Sequence, residues 1–363
     1  MEFLYCNLTA SDNDLIVSLG RQVFGNRFCE DPEAYFKWKY VNSPGGPARG
    51  IIALSGSDVA GVYSVMPIRL LLNGRATLAA FSFDTMTSSQ YQRRGLFIKL
   101  ASELYRALAK EGFNLVYGFP NNNSMHGFIH DLGWRRINSF NAYVIPTSID
   151  KRFMDNDPKR LPHYAVGKLL APIYTAIADR CALSVRDVSA IHLQAYDEEL
   201  ENVWVKSDKT QWPFCLIRDG EFLKWRFFDN PEHKYHTFLI VSKKHGPIGY
   251  AVFKIEAAGH LRKAILMDYN TISTFRPKQR GIIFKAYLAL CHSEAVNALL
   301  FFPPQRQSLT DPLGTFFRAI ARRLSEQVEL PFCIKPFRVE GFYEDTIYNP
   351  KFWHITPADM DWF

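Results

Sequence analysis

At 363 residues the chain exceeds one average domain and suits two. Its 47 % apolar, 15 % aromatic and 22 % charged residues are those of a folded globular protein, which excludes disordered and collagen-like classes. A net charge of +7 favours an anionic partner such as a nucleotide cofactor, but no run of Lys and Arg exceeds two residues, so nucleic acid is not an expected partner.

The chain opens on a strand near residues 2–9, followed by a helix from Ser11-Asp12 to about Gly25. A second helix starts at Asp31-Pro32, an N-cap followed by a proline at the first helical position, and stops before Pro44. Three strands follow near 50–55, 59–71 and 76–86, the last two joined by an Asn73-Gly74 turn. A helix then covers about 94–111, a strand 114–119, a short helix 122–132, and one or two strands 134–146. The pattern predicts an α+β domain on one mostly antiparallel sheet.

The chain also resembles itself. YFKWKYVNSP at 35–44 reappears as FLKWRFFDNP at 222–231, with Lys37-Trp38-Lys39 aligned to Lys224-Trp225-Arg226 at an offset of 187. A predicted β-hairpin follows both copies, over 51–65 and over 237–253. QRRGLFIKL at 92–100 then recurs as KQRGIIFKA at 278–286. Order and spacing are both kept, so one fold is expected twice, over residues 1–147 and 183–363. Residues 148–182, with Asp155-Asn156-Asp157-Pro158 and a later apolar stretch, read as a linker and helix.

The most informative segment is FSFDTMTSSQYQRRGLFIKL, residues 81–100. A strand ends at Thr87, a polar loop follows, and Gly95 opens a helix whose apolar positions Leu96, Phe97, Leu100, Leu104 and Leu108 share one side. The free N–H groups of a first helical turn can bind an anion, and glycine lets a phosphate approach the backbone.

This segment resembles the coenzyme A pyrophosphate loop of the GNAT acetyltransferases, Gln/Arg-x-x-Gly-x-Gly/Ala. Gln92, Arg93, Arg94, Gly95 and Leu96 match it, and Phe97 stands where the family has a small residue. YGFPNNNSMHGFIHDLGW, residues 117–134, resembles the next family element: a splayed strand, an Asn-led helix and a closing Gly-aromatic pair. The resemblance covers residues 1–147 strongly and 183–345 weakly. It implies two tandem GNAT-like domains of αβα-layered α+β class, each a mostly antiparallel mixed sheet flanked by helices, with the working site in the first and a degenerate second copy.

The implied reaction moves an acetyl or other acyl group from acyl-CoA to an amine acceptor, with an amino sugar or nucleotide-sugar precursor of a surface polysaccharide as one acceptor class. The implied cofactor residues are the strand amides at Thr85, Met86 and Thr87, the loop from Gln92 to Phe97, and Asn122 or Asn123 toward the pantetheine arm. Acyl transfer also needs a base and an acid. Asp84, near the end of a largely apolar strand, is the leading base candidate, with a structural acceptor role as its alternative. The family's tyrosine acid is replaced by Ile129. His126 and His130 on the same helix are candidate substitutes, histidine being the side chain that exchanges protons near neutrality. Tandem GNAT proteins of the enhanced-intracellular-survival type use a terminal carboxylate, which would here be that of Phe363. Trp212, Trp225, Tyr235 and Trp353 are candidates to line the acceptor cleft.

Two other readings stay open, a FemAB-like aminoacyltransferase and a catalytically inactive coenzyme-binding or scaffold protein. The six scattered cysteines, with no C-x-x-C pair, suit reduced core thiols rather than a metal site. No apolar stretch approaches the roughly 20 residues of a membrane span, and Met1-Glu2-Phe3-Leu4-Tyr5 does not open a signal peptide. A metal-free cytoplasmic protein is the expectation.

Overall fold

The computed structural model describes residues 3–25, 28–141, 143–146, 187–210, 212–258, 261–296, 298–302, 329–337 and 346–360. The linker expected over 148–182 lies outside the described residues. Strand β1 (Leu4–Asn7) leads into α1 (Asn13–Phe24) and α2 (Pro32–Phe36), which widens into a π-turn over Lys37–Val41. Asp31 caps α2, its side chain accepting from the Ala34 N–H at 3.1 Å, and Pro32 follows at the first helical position. Strands β2 (Arg49–Ser55), β3 (Asp58–Leu72) and β4 (Arg75–Thr87) form the central meander, with positive φ at both Asn73 and Gly74 in the last turn. Helix α3 (Leu96–Lys110), β5 (Leu115–Gly118), α4 (Asn122–His126) with its π-turn to Asp131, β6 (Arg135–Asn141) and β7 (Tyr143–Pro146) complete the first half.

The second half runs β8 (Val188–Leu193), α5 (Glu199–Val205), β9 (Phe214–Leu216), α6 (Gly220–Phe227), β10 (Tyr235–Ser242), β11 (Gly246–Ala258), β12 (Leu261–Thr271), α7 (Gln279–Ser293), β13 (Ala298–Phe301), β14 (Glu329–Pro336) and β15 (Trp353–His354). The result is a pair of α+β units, each a mostly antiparallel mixed sheet flanked by helices. One sheet orders its strands β1-β2-β3-β4-β5-β14-β6, with β9 and β15 added at β3. The other orders them β7-β13-β12-β11-β10-β8.

The sheets therefore do not divide the chain at residue 147. Strand β7 of the first half pairs antiparallel with β13 in the second sheet, while β14 of the second half pairs antiparallel with β5 in the first. In both sheets these strands adjoin the strand that runs parallel to the meander, β5 beside β4 and β13 beside β12. Each half thus places a strand in the equivalent position of the other. The physical reason is continuity of the ladder: a chain that ends one sheet and begins the next satisfies its backbone groups in whichever sheet offers an open edge.

One face of the first sheet packs on α3 through Leu96, Leu100, Leu104 and Leu108. Its other face shares a core with α1, α2, α5, α6 and the C-terminal segment. A separate core joins the second sheet to α7. Cys29, Cys215 and Cys333 are buried free thiols, and burial pushes those of Cys215 and Cys333 up to about 12. Among the described residues no helix is long and apolar enough to cross a membrane.

Candidate functional site

The parallel pairing of β4 and β5 covers only Ala79–Leu115, Ala80–Val116 and Phe81–Tyr117. β4 continues to Thr87 while β5 ends at Gly118, so a gap opens between the strands just past that last pair. On the β3 side the register jumps from Ser64–Phe83 to Val62–Met86, leaving Asp84 and Thr85 in a bulge. Asp84 there has a φ of 41°, a conformation that costs a non-glycine residue energy and is held by its surroundings.

Those surroundings are specific. The Asp84 carboxylate accepts from Tyr40 Oη at 2.9 Å, from Lys39 Nζ at 3.1 Å and from Tyr35 Oη at 3.2 Å. Lys39 Nζ also donates to Tyr35 Oη at 2.6 Å and lies 4.9 Å from the Tyr35 and Phe83 ring centres. The ion-pair side chains are 3 % and 8 % exposed. Asp84 lines the cavity, but its oxygens are committed to these three donors, the geometry of a structural acceptor rather than of a free base. Ser88 N–H is spent on Ala60 O at 3.0 Å, so strand alternation turns the Thr87 amide toward the gap. Gln92 Nε2 donates to Thr87 O at 3.4 Å and closes the loop.

At the handover to α3, Gly95 has a φ of 72° and is the N-cap, with no side chain capping the first turn. A Cβ built there meets nothing within 4 Å. Gln92, Arg93, Arg94 and Gly95 are exposed and Leu96 is buried beneath them. The bend is therefore an open cradle of the kind a diphosphate requires. Phe97 leaves it free: its ring packs 4.9 Å from Phe128 and 6.0 Å from Tyr63, against Gly127. Behind the gap, Tyr63 Oη bonds to Tyr105 Oη at 2.6 Å and to Ser82 Oγ at 2.9 Å, and Trp134 Nε1 donates to Tyr105 Oη at 3.0 Å. This buried chain ties β3, β4 and α3 to the strand that follows α4.

A cavity of about 540 Å³ lies on the gap's other side, between the two halves. Its walls include Phe83, Asp84 and Thr85 from β4, Tyr117 and Gly118 from β5, and Asn121 and Ser124 from α4. Trp225, Glu232 and His233 come from the second half and Asp359 from the C-terminal segment. Tyr117 Oη is buried and, among the described residues, unpaired. Burial pushes its hydroxyl pKa up, and Asp359 adds to that. An orphaned buried hydroxyl at the splay fits a site that receives a polar ligand group.

Several expected residues lie elsewhere. The α4 cap is Asn121, whose side chain accepts from the Asn123 and Ser124 N–H groups at 3.0 Å each. Asn122 and Asn123 are exposed and do not line the cavity, although α4 starts at Asn122 as expected. His126 and His130 lie with ring centres 4.6 Å apart, tilted by 32°, on the exposed face of the same helix, outside the cavity lining, since that helix turns Ser124 and Phe128 inward. Phe363 lies outside the described residues. Of the four aromatics expected at the cleft only Trp225 lines it. Trp212 stacks on His354 at 4.0 Å, Tyr235 Oη accepts from Arg226, and Trp353 is buried beside Phe214. Lys39, Glu232, His233 and Asp359 escaped notice, although the repeated Lys-Trp-Lys/Arg triplet marked Lys39.

The second copy is built differently at the equivalent place. Gly61 pairs with Thr87 and Gly249 with Thr271, which sets Asp268 against Asp84 in the two meanders. Asp268 is fully buried, accepting from Arg218 Nε at 3.1 Å and from Tyr250 Oη and Thr356 Oγ1 at 3.0 Å. The C-terminal segment thus covers this second aspartate, and Arg226 donates to the Ala358 and Met360 carbonyls. Gly281 is buried inside α7 rather than opening it. Asp268 thus bonds to Thr356 of the C-terminal segment, whereas Asp84 lines the cavity.

Comparison with known proteins agrees with this geometry. Residues 5–137 match the family described as acetyltransferase (GNAT) domain. A protein of Enterococcus faecalis V583 described as a probable N-acyltransferase superposes with a TM-score of 0.64 at 12 % identity, over 93 % of this chain and 73 % of its own. N-myristoyltransferase of Saccharomyces cerevisiae with bound myristoyl-CoA gives 0.58 at 12 % identity, over 94 % and 80 %. Eis1 of Mycobacterium abscessus gives 0.53 at 12 % identity, over 93 % and 74 %. No curated protein matches the chain. At such identities the likenesses speak for the fold, and the open cradle at Gly95 lies within residues 5–137, the part of the chain that matches the GNAT acetyltransferase domain.

Proposed function

We propose that the protein is an N-acyltransferase that takes an acetyl or other acyl group from acyl-CoA and passes it to an amine entering from the cavity between the halves. The observation that carries this reading is Gly95: a left-handed turn with free space around it, at a helix start beside the β4–β5 gap. Gln92 to Phe97 would hold the diphosphate through main-chain amides, with Arg93 and Arg94 exposed beside them. Asn121 and Ser124, rather than the two asparagines after Asn121, stand where α4 meets the cavity. The acyl-CoA supplies the activated thioester carbonyl.

The chain's part is positioning and charge stabilisation. The amide of Thr87, with that of Thr85 at the bulge, would receive the carbonyl oxygen as it becomes an oxyanion. Asp84 acts as a positioning residue, because its bonds to Lys39, Tyr35 and Tyr40 hold the bulge in its strained form. The cavity holds the amine within reach of the thioester, converting a two-body encounter into a local step. The second copy serves as cavity wall, its own Asp268 being bonded to Thr356 and to Arg218, which also holds Asp359. An amino sugar remains one acceptor class for this reading.

Calorimetry with acetyl-CoA tests the proposal. Binding to the wild-type chain is expected, with loss of about 100-fold or more for Gly95→Trp, whose bulk would fill the cradle, equivalent to nearly 3 kcal/mol. Coenzyme A release in the presence of an amine should accompany it. Equal binding by the Gly95→Trp variant would remove the case for a diphosphate at this turn.

A further inference from the structure

Five aromatic side chains line the cavity in an unbroken succession. Phe24 at the rim, half exposed, stacks on Phe28 with ring centres 5.9 Å apart and planes 8° apart. Phe28 meets Tyr35 edge-on at 5.5 Å, Tyr35 meets Trp38 at 6.4 Å, and Trp38 stacks on Trp225 at 4.8 Å. An exposed phenyl ring costs solvation unless something covers it, and this one begins a path of rings leading inward from solvent.

The charges along the path are unequal. Its two permanent cations are engaged, Lys39 with Asp84 and Tyr35, and Arg226 with Tyr235 Oη and the carbonyls of Ala358 and Met360. His233 is held neutral, its pKa pushed down to about 4 by burial and then by Lys254 and Arg226. Asp359 is paired with Arg218. Glu232 differs: its oxygens accept only from the amides of Glu30, at 3.1 and 3.2 Å, and Asp31, at 3.4 Å, and among the described residues no ion pair reaches it. Among the described residues the wall therefore offers a carboxylate without a basic side-chain partner and no uncommitted cation.

From this we infer that the acceptor is a primary amine carried on a flat, apolar ring, an arylalkylamine, with its ring on the Phe24–Phe28–Tyr35 ladder and its ammonium facing Glu232. The inference rests on the acyltransferase reading and names its acceptor class. Anionic acceptors, nucleotide sugars among them, would meet Glu232 with no compensating cation among the described residues. In the reaction the deprotonated amine nitrogen forms a bond to the thioester carbon and the carbon–sulfur bond breaks. The proton lost by the nitrogen balances the one gained by the departing thiolate, giving an amide and free coenzyme A.

Amine binding can be read apart from turnover, through the fluorescence of Trp38 and Trp225 in the intact chain. Phenethylamine is expected to bind about 10-fold or more tightly than glucosamine, which lacks the apolar ring, or 3-phenylpropionate, which lacks the cation. Glu232→Gln should weaken phenethylamine about 10-fold and leave phenylpropionate no weaker, or tighter for the lost repulsion, while Phe24→Ser, at a half-exposed position, should weaken both ring compounds about 3-fold or more. Release of coenzyme A from acetyl-CoA should follow the same order among the two amines. Glucosamine binding as tightly as phenethylamine, or phenethylamine unaffected by Glu232→Gln, would overturn the inference. Intact amine selectivity without any acetyl-CoA binding would instead strike the acyltransferase reading alone.

Discussion

Trp38 and Trp225 exchange hydrogen bonds: Trp38 Nε1 donates to Trp225 O at 2.8 Å, and Trp225 Nε1 donates to Trp38 O at 2.9 Å. Their rings stack 4.8 Å apart with planes 14° from parallel. They are the same residue of the internal repeat, so the two copies meet where each is its own counterpart. A local two-fold relation of this kind makes every contact occur twice, as at the interface of a symmetric dimer.

Because both indole donors satisfy main-chain carbonyls, Trp38→Phe and Trp225→Phe should each lower unfolding free energy by about 1–2 kcal/mol in denaturant titrations. The double variant should fall short of additivity by about 1 kcal/mol, reflecting the lost stack. Full additivity would mean that the pair does not couple the halves.

The buried Lys39–Asp84 pair should respond asymmetrically. Lys39→Met leaves a carboxylate without its cation and should cost about 3–5 kcal/mol, whereas adding Asp84→Asn to it should restore much of that. Asp84→Asn alone should lower turnover about 10-fold with little change in coenzyme affinity, since its place is the bulge and not the cradle. A variant that loses coenzyme binding in proportion to turnover would contradict this division.

Phe97 stands where the related families carry a small residue, and its ring faces Tyr63 and Phe128. Phe97→Ala should therefore cost about 2 kcal/mol of stability, less than a fully buried phenylalanine, and change the acetyl-CoA dissociation constant less than about 3-fold. A large affinity change at unaltered stability would put the ring at the phosphates.

His354 sets an acid limit. Burial, and next to it the charge of Arg218, push its pKa down to about 3, and its ring stacks under Trp212. An unfolded histidine binds a proton near pH 6.5 while the folded one does not, so the stabilisation is complete above that pH and is lost as pH falls toward 3. The loss should approach about 1.4 kcal/mol per pH unit in this window. His354→Gln should flatten the slope of unfolding free energy against pH by about one proton between pH 6 and 4. An unchanged slope would refute the assignment.

Local chemistry made most of the first half legible. The Asp31-Pro32 start, the Asn73-Gly74 turn and the apolar stripe of α3 each depend on residues within a few positions, and each element formed within two or three residues of its expected bounds. Gly95 was legible for the same reason, a positive-φ turn being a property of one residue and its neighbours. The repeat was legible because offset and order are properties of the chain alone. Exchange of β7 and β14 was not, since an edge pairs with whichever strand arrives and nothing in either strand names its partner. The cavity wall was hidden likewise: Glu232, His233 and Asp359 are far in sequence from Asp84, and only the meeting of the two Lys-Trp repeats brings them to one space. Asparagines and histidines on α4 looked chemical, but packing turns Ser124 and Phe128 toward the cavity and leaves Asn122, Asn123, His126 and His130 exposed, and the rotation of a helix about its own axis is decided by what it packs against.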